Sequence, residues 1–93
     1  MRKYELACIF DAESSKANAL KEDIKQIVTG SGATLDDIED WGRRKLAYPI
    51  KNHTDGTYVF YHCTMEPSTV DKIDKELSIR EDIVRYRFIR ADE

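Results

Sequence analysis

The sequence predicts an α+β fold in which two helices cover one face of a four-stranded antiparallel sheet. Some segments alternate in polarity or are rich in aromatic and β-branched residues, and these predict strands. Two other segments carry apolar residues at helical spacing. The order along the chain is strand, helix, strand, strand, helix, strand, the split βαβ (βαββαβ) pattern of the ferredoxin-like fold. A chain of 93 residues leaves room for a single such domain, spanning residues 1–93.

Apolar periodicity predicts the first strand and the first helix. Residues 2–10 alternate, which is typical of a half-buried strand, and a polar break follows at Asp11–Ser15. Gly30 and Gly32 are expected to end the helix, because glycine adopts the left-handed C-terminal conformation at little cost. The strand turns Leu6, Cys8 and Phe10 to one side, and the helical stripe consists of Ala17, Leu20, Ile24, Ile27 and Val28.

The middle of the chain predicts a hairpin. Residues 35–51 indicate a long, bulged second strand, and Pro49 favours a sheet edge because it cannot donate to a strand ladder. Lys51–Gly56 is interpreted as the turn, with Asp-Gly as its clearest signal. Thr57–Met65 is rich in aromatic and β-branched residues, which predicts the third strand.

The last third of the chain predicts one helix and one strand. Pro67 and Ser68 open the helix, and Ser68–Asp71 fits a capping box with Asp in place of Glu. Ile83–Ile89 is the fourth strand. Right-handed crossovers place the first and third strands in the centre of the sheet. The second and fourth strands are then edges, and one face of the sheet has no helix on it.

The uncovered sheet face is the candidate interaction surface. Aromatic side chains interleaved with arginines suit RNA, because rings stack on bases and guanidinium groups bind phosphate. The alternative is that aromatic residues simply pack well on strands. The apolar area of this face favours a partner of some kind. The face is expected to carry Tyr58, Phe60, His62, Arg85, Arg87 and Ile89, joined by Arg44, Leu46 and Tyr48 if the second strand keeps one register.

Charge is sorted along the chain although the net charge is small. Fifteen basic and eighteen acidic residues give −3, which lends no support to binding of nucleic acid or an anionic membrane. Residues 11–40 hold eight acids and three bases, whereas residues 41–51 hold four bases and no acid. The run Arg43–Lys45 either forms a solvated edge or contacts phosphate or a partner.

The sequence lacks the residue patterns of an enzyme. His53 and His62 have no metal-ligand spacing to Cys8 or Cys63, so no metal, cofactor or small-molecule substrate is expected. Both cysteines fall on the core side of their strands and are interpreted as reduced, buried thiols. No apolar run is long enough to span a membrane, and the N-terminal residues lack the apolar core of an export signal. We therefore expect a cytoplasmic, non-catalytic protein.

The segment Ile38–Lys51, which contains Trp-Gly-Arg-Arg-Lys-Leu-Ala-Tyr-Pro-Ile, strongly resembles the bacterial small-subunit ribosomal protein S6 family. Met1–Glu5, Gly56–Val59 and Ile83–Tyr86 are similar to other parts of that family's pattern. The resemblance covers nearly the whole chain, in order. One departure is Asp11, which stands where the family often has proline.

The resemblance implies a structural constituent of the small ribosomal subunit that is not an enzyme. Members bind the central domain of small-subunit ribosomal RNA together with ribosomal protein S18 of the small subunit, as a heterodimer. For this chain, the resemblance and the open face together predict a partner-protein surface and a set of RNA contacts. The partner-protein surface comprises Arg44, Leu46, Tyr48, Tyr58 and Phe60, and the RNA contacts are Arg2, Lys3, Arg85 and Arg87.

Two alternatives remain open at this stage. Gly56–Tyr61 is faintly similar to the central strand of an RNA-recognition motif, which would make the protein a free-standing binder of single-stranded RNA. Against this, the first strand offers Glu5 and Ala7 to the open face in place of a stacking aromatic. A small acyl-phosphate hydrolase of the same fold is the other alternative, but the loop Asp11–Ser15 has the wrong charge for its anion site.

Overall fold

The computed structural model describes residues 1–11, 17–50 and 53–91. All strand pairings are antiparallel and the spatial order of the strands is β2-β3-β1-β4, so β1 and β3 lie in the centre as predicted. Each predicted helix and strand is found, in the predicted order. The elements are β1 (Arg2–Asp11), α1 (Ala17–Gly30), β2 (Thr34–Ile50), β3 (His53–Met65), α2 (Pro67–Ser78) and β4 (Ile83–Arg90).

The hydrophobic core lies between the two helices and one face of the sheet. Every second residue from Tyr4 to Phe10 in β1 and from Val59 to Met65 in β3 is buried, which confirms the predicted alternation. Burial of one large apolar side chain contributes roughly 1.5–3 kcal/mol, so this layer supplies most of the driving force for folding. The core is built from Tyr4, Leu6, Cys8 and Phe10 of β1; Val59, Tyr61, Cys63 and Met65 of β3; and Leu20, Ile24, Val28, Ile73 and Leu77 of the helices.

Tyr61 ties the sheet to the first helix. Its side chain is fully buried, and its hydroxyl donates a hydrogen bond to the main-chain carbonyl of Lys21 at 2.9 Å. Burial raises the pKa of Tyr61, so the phenol stays neutral. Burial also raises the pKa of the Cys8 thiol and raises that of Cys63 to about 11. Both cysteines are free and buried, and protonated thiols of this kind are inert.

The second helix begins at Pro67 as predicted, but its N-terminal cap differs from the prediction. The helix begins at Pro67, Glu66 occupies the N-cap, and no side chain caps the helix. The predicted capping box at Ser68–Asp71 is therefore wrong. Proline fits the first helical position because its backbone angle is already helical and its missing N–H would have no partner there. Ser68 consequently lies inside the first turn, and its side chain is exposed.

The predicted turn at Lys51–Gly56 is wrong in its last four residues. β3 already begins at His53, where it pairs with Ile50, and Gly56 pairs with both Arg44 and Asp11. Asp-Gly therefore stands inside a strand. Residues 51 and 52 lie outside the described part of the chain, as do residues 12–15 of the predicted polar break; Asp11 is the last residue of β1.

β2 is an edge strand with interrupted register, as its length and Pro49 predict. The pairing with β3 shifts between Leu35 and Asp37, between Asp40 and Gly42, and between Lys45 and Ile50. Each shift bends the strand and changes which side chains face each side of the sheet. The single register considered for the open face is therefore not kept.

Removing the hydroxyl of Tyr61 is expected to destabilise the protein. Tyr61→Phe loses the hydrogen bond to Lys21 and leaves a buried polar cavity, which costs about 0.5–1.5 kcal/mol of unfolding free energy. Urea denaturation followed by circular dichroism measures the change. Tyr58→Phe is the matched control, since no hydrogen-bond partner for the Tyr58 hydroxyl lies among the described residues; an equal loss in both variants would contradict the prediction.

Alkaline destabilisation is expected to depend partly on Tyr86. Its hydroxyl donates to Oδ1 of Asp74 at 2.6 Å, and burial, reinforced by that carboxylate, raises the pKa of Tyr86 from 10.0 to about 12. The folded state therefore holds the proton more tightly than the unfolded state. The stability that the protonated Tyr86 hydroxyl contributes is fully present below pH 10 and is lost as the pH rises toward 12. Urea unfolding at several pH values is expected to give a shallower decline for Tyr86→Phe than for the wild type.

Candidate functional site

The sheet face turned away from the helices carries aromatic, acidic and basic side chains in an ordered array. In β3, the residues that alternate with the core residues point to this face. Their cross-strand partners in β1 and β4 point to the same face. This assignment of faces agrees with the sequence prediction. Cross-strand pairing forms three rows running from β3 through β1 to β4: Tyr58, Ile9 and Arg85; Phe60, Ala7 and Arg87; and His62, Glu5 and Ile89.

A groove of about 380 Å³ lies on this face at its β4 side. Tyr48, from the β2–β3 hairpin, reaches across the sheet, and its hydroxyl accepts a hydrogen bond from Nη1 of Arg85 at 3.2 Å. The hairpin therefore bends over the open face. We call this concavity the aromatic–arginine groove; it is lined chiefly by Tyr48, Tyr58, Phe60, Arg85, Arg87 and Ile89.

Close packing at Gly56 allows the hairpin to bend in this way. A Cβ atom placed on Gly56 would overlap Cγ2 of Ile9 and would lie 3.5 Å from Cδ2 of Leu46. Both side chains thus pack close to the bare glycine backbone. Leu46 is only 7% exposed, so its main contact is within the chain. The Asp-Gly motif serves strand packing at this point.

Trp41 is a prominent surface residue that the sequence reasoning left out of the site. It occupies the register shift between Asp40 and Gly42, where Gly42 has a φ of +72°. The indole is 52% exposed and stands edge-on to the Phe60 ring, with centroids 4.7 Å apart. The guanidinium of Arg44 lies 5.7 Å from the indole centroid, and its Nε donates to the Trp41 carbonyl. In the sequence, a large apolar residue followed by glycine within a charged segment was the pattern that could have indicated an exposed ring at this position.

Asp40 holds the bulge beneath Trp41 in place. One carboxylate oxygen pairs with the ammonium of Lys21 on α1, and the other accepts the N–H of Gly42 at 2.9 Å. The hydrogen bond from Lys21 lowers the pKa of Asp40, and the Gly42 N–H adds to the effect. The carboxylate therefore links the strand irregularity to the first helix.

Acidic side chains lie on the β2 side of the open face. His62 is placed between two carboxylates: its Nε2 is 3.4 Å from Glu39 and its Nδ1 is 3.9 Å from Glu5. Asp37 and Glu39 pair with His62 and Phe60 across the β2–β3 ladder. On the open face, β2 therefore carries Asp37 and Glu39 together with the Arg44 guanidinium, and β3 carries the aromatic rings. Glu5 lies on β1, and the guanidinium groups of Arg85 and Arg87 lie on β4.

The structure separates the four predicted RNA-contacting residues into two places. Arg2 and Lys3 open β1 and point to alternate sides of the sheet, opposite Met65 and Thr64. Arg85 pairs with Ile9, which lies roughly 20 Å farther along the same strand. Arg85 and Arg87 instead share the aromatic–arginine groove with Tyr48, Tyr58 and Phe60, residues of the predicted partner surface.

The basic run Arg43–Lys45 does not form one cluster. Arg43 pairs with the carboxylate of Asp55 at 3.0 Å on the neighbouring strand, whereas Arg44 lies on Trp41. This agrees with the expectation that residues of an alternating strand point both ways.

The part of the chain that the structure describes contains neither a cluster of metal-binding side chains nor a membrane-spanning helix. No group of three or more His, Cys, Asp or Glu side chains in residues 1–11, 17–50 and 53–91 is arranged to hold a metal ion. Over the same residues, neither helix combines the length and apolar character needed to cross a bilayer.

Comparisons with known proteins agree on one family. The family model for ribosomal protein S6 matches residues 3–90. Small ribosomal subunit protein bS6 of Cutibacterium acnes is 36% identical over 94 residues, covering 99% of this chain and 98% of the relative. The corresponding protein of Bifidobacterium longum is 40% identical over 90 residues, covering 95% and 93%.

Solved structures show the same fold. The 30S ribosomal protein S6 from Thermotoga maritima superposes with a TM-score of 0.92 at 24% identity, covering 97% of this chain and 87% of that one. The C-terminal domain of the MgtC protein from Mycobacterium tuberculosis has a TM-score of 0.66 at 13% identity. The second likeness illustrates that this fold occurs in proteins of different kinds, so function must be argued from the surface.

Gly56→Ala is expected to destabilise the protein by about 1–3 kcal/mol, because the added methyl group displaces Ile9 in a closely packed site. Chemical denaturation measures the loss. Gly30→Ala is the matched control: a Cβ there meets nothing within 4 Å, so stability should be unchanged or slightly higher. Equal stabilities of the two variants would contradict the packing role of Gly56.

Proposed function

Because this chain belongs to the ribosomal protein S6 family, we propose that it binds the central domain of small-subunit ribosomal RNA as a heterodimer with ribosomal protein S18 of the small subunit. Members of the family are structural components of the small subunit; they are not enzymes, and they are located in the cytoplasm within the ribosome. We propose further that residues 1–93 act as one ferredoxin-like domain.

The aromatic–arginine groove is the observation that carries the proposal. Tyr48, Tyr58 and Phe60 present rings around a concave surface on a face without helices. Aromatic residues supply large, rigid contact areas and are the usual anchors of protein interfaces. Arg85 and Arg87 stand at the same groove, where guanidinium groups can bind phosphate.

Contacts with the partner protein and contacts with RNA are assigned to different residues. Arg44, Tyr48, Tyr58 and Phe60 contact the partner protein, and Leu46 supports them from its buried position in the hairpin. Arg2, Lys3, Arg85 and Arg87 contact RNA. Tyr48 is hydrogen-bonded to Arg85, so the partner-protein surface and the RNA surface meet at this pair. Binding of RNA and binding of the partner protein can therefore stabilise each other.

The net charge of −3 fits a protein that depends on its partner for RNA affinity. RNA affinity is dominated by phosphate contacts, which an acidic chain supplies weakly by itself. A heterodimer adds the partner's contacts to those of Arg85 and Arg87. The open face also differs from that of a free-standing RNA-recognition motif. Beside the rings of β3, the central strand β1 presents Ala7 and Glu5 instead of an aromatic residue that could stack on a base.

Titration of a central-domain ribosomal RNA fragment tests the proposed function. We expect negligible binding by the protein alone, and tight binding that weakens with salt when ribosomal protein S18 is added. Fluorescence anisotropy of labelled RNA at two salt concentrations measures both affinities. Tight binding alone that S18 leaves unchanged would overturn the heterodimer and favour the free-standing RNA binder.

Variants within this experiment separate the two surfaces. Phe60→Ala should weaken association with S18 about tenfold or more. Arg87→Ala should leave that association intact, weaken RNA binding by the heterodimer and reduce its salt slope by about one. Lys72→Ala is the matched control, because Lys72 is exposed on α2, behind the sheet. If Arg87→Ala and Lys72→Ala bind RNA with equal affinity, Arg87 is not an RNA contact.

A further inference from the structure

We propose that a cavity at the outer edge of β4 binds a phosphate group of RNA, and that Arg80 is the residue that holds it. The cavity, called here the β4-edge cavity, lies between the C-terminal end of α2 and the first residues of β4. The inference rests on the proposed function, since it adds a residue to the RNA contacts. The cavity has a volume of about 430 Å³ and is lined chiefly by Ser78, Arg80, Ile83, Val84, Arg85 and Tyr86.

Arg80 has hydrogen-bond donors that the described part of the chain does not use. Its side chain is 32% exposed, and Nη1 lies 3.9 Å from Oδ2 of Asp23, which is too far for a hydrogen bond. The Nε atom is buried and has no partner among the described residues. A guanidinium carries five N–H donors, and a planar anion-binding group with unused donors beside a cavity is suited to phosphate.

Charge is distributed unequally on the two sides of Arg80. On one side, a cavity of about 520 Å³ is lined by Asp23, Glu81 and Asp82, which would repel a phosphate. On the other side, no carboxylate lines the β4-edge cavity among the described residues. The carboxylate of Asp74, on α2, already accepts the hydroxyl of Tyr86 at 2.6 Å. An anion is therefore favoured on the β4 side alone.

The end of α2 is also prepared for an anion. A helix C-terminus carries partial negative charge on its unpaired carbonyl groups. Here the carbonyl of Leu77 accepts the N–H groups of Ile79 and Arg80, and the carbonyl of Lys75 accepts the hydroxyl of Ser78 at 3.0 Å. Lys75 also places a cation in the last turn. These contacts reduce the negative charge that a phosphate would meet.

The β4-edge cavity continues the RNA surface proposed above. Arg85 and Tyr86 line both this cavity and the aromatic–arginine groove. The guanidinium of Arg85 is bonded to Tyr48 over the open face, so Arg80 supplies the positive charge of the cavity itself. Since β4 is an edge strand, an RNA strand that contacts Arg85 can pass over the edge and reach Arg80 without crossing another strand.

Removing the charge of Arg80 tests the proposal. The heterodimer of Arg80→Gln with ribosomal protein S18 is titrated into the labelled central-domain fragment, and fluorescence anisotropy is recorded at several salt concentrations. We expect roughly tenfold weaker RNA binding and a salt slope reduced by about one, with unchanged association with S18 by calorimetry. Arg80→Lys keeps the charge and should keep the wild-type slope.

Asp23→Asn is the matched control for the structural role of Arg80. It breaks the same ion pair and leaves the guanidinium in place, so its RNA affinity should equal or exceed that of the wild type. Thermal melts establish that each variant is folded. Equal weakening of RNA binding by Asp23→Asn and Arg80→Gln would assign the effect to the ion pair and overturn the proposal.

Phosphate ethylation interference identifies the group that Arg80 contacts. Ethylation removes the charge of one phosphate at a time along the RNA. We expect at least one phosphate whose ethylation weakens binding by the wild-type heterodimer and has no effect on binding by Arg80→Gln. Identical interference patterns for the two heterodimers would overturn the proposal.

Other outcomes separate this proposal from the proposed function and from other ligands. Wild-type affinity and slope in Arg80→Gln would overturn the phosphate site while leaving the proposed function standing, whereas a wild-type heterodimer that does not bind RNA would overturn both. Weaker association of Arg80→Gln with S18 would assign the cavity to a carboxylate of the partner protein. Inorganic phosphate is the probe for a free anion. If it raises the melting temperature of the wild type but not of Arg80→Gln, and both bind RNA equally, the RNA contact is overturned.

Discussion

The open face of this protein depends on the absence of a side chain at Gly56. Ile9 of the central strand occupies the space that a Cβ atom would take, and Leu46 of the hairpin lies within van der Waals distance of that space. Because Gly56 has no side chain, both residues pack over its backbone, and Tyr48 of the same hairpin lies within hydrogen-bond reach of Arg85. The bend of the hairpin over the open face forms the aromatic–arginine groove, because Tyr48 of the edge strand β2 makes one wall and residues of β4, at the opposite edge, make another.

The register shifts in β2 are the second feature that shapes the open face, and they give this edge strand two functions. A straight edge of this length would present unpaired backbone groups to other chains, and bulges reduce that hazard. The same register shift exposes Trp41 over Phe60, and Asp40 stabilises it through bonds to Lys21 and Gly42. Protection of the edge and placement of an exposed indole are therefore achieved by one local distortion.

These features explain what the sequence could and could not predict. Alternation in the central strands and the helical stripes defined the core and both sheet faces, because periods of two and 3.6 depend only on local geometry. The capping box of α2 was misassigned because Pro67 occupies the first helical position, which places Ser68 inside the first turn. Asp-Gly was assigned to a turn, and Trp41 was left out of the site, because both depend on pairing with residues of other strands. Register of that kind has no local signature in an irregular edge strand.

Net charge is a poor guide to the surface chemistry of this chain, because the folding topology sorts charges that are mixed in sequence. At one edge of the open face, β2 carries carboxylates and the guanidinium of Arg44, and at the other edge β4 carries Arg85 and Arg87, with rings of β3 between them. At distances above about 8–10 Å, exposed charges are largely screened at physiological salt. The guanidinium groups of β4 are therefore screened from the carboxylates of β2, and a chain of net charge −3 can still offer a phosphate-binding surface at its β4 edge.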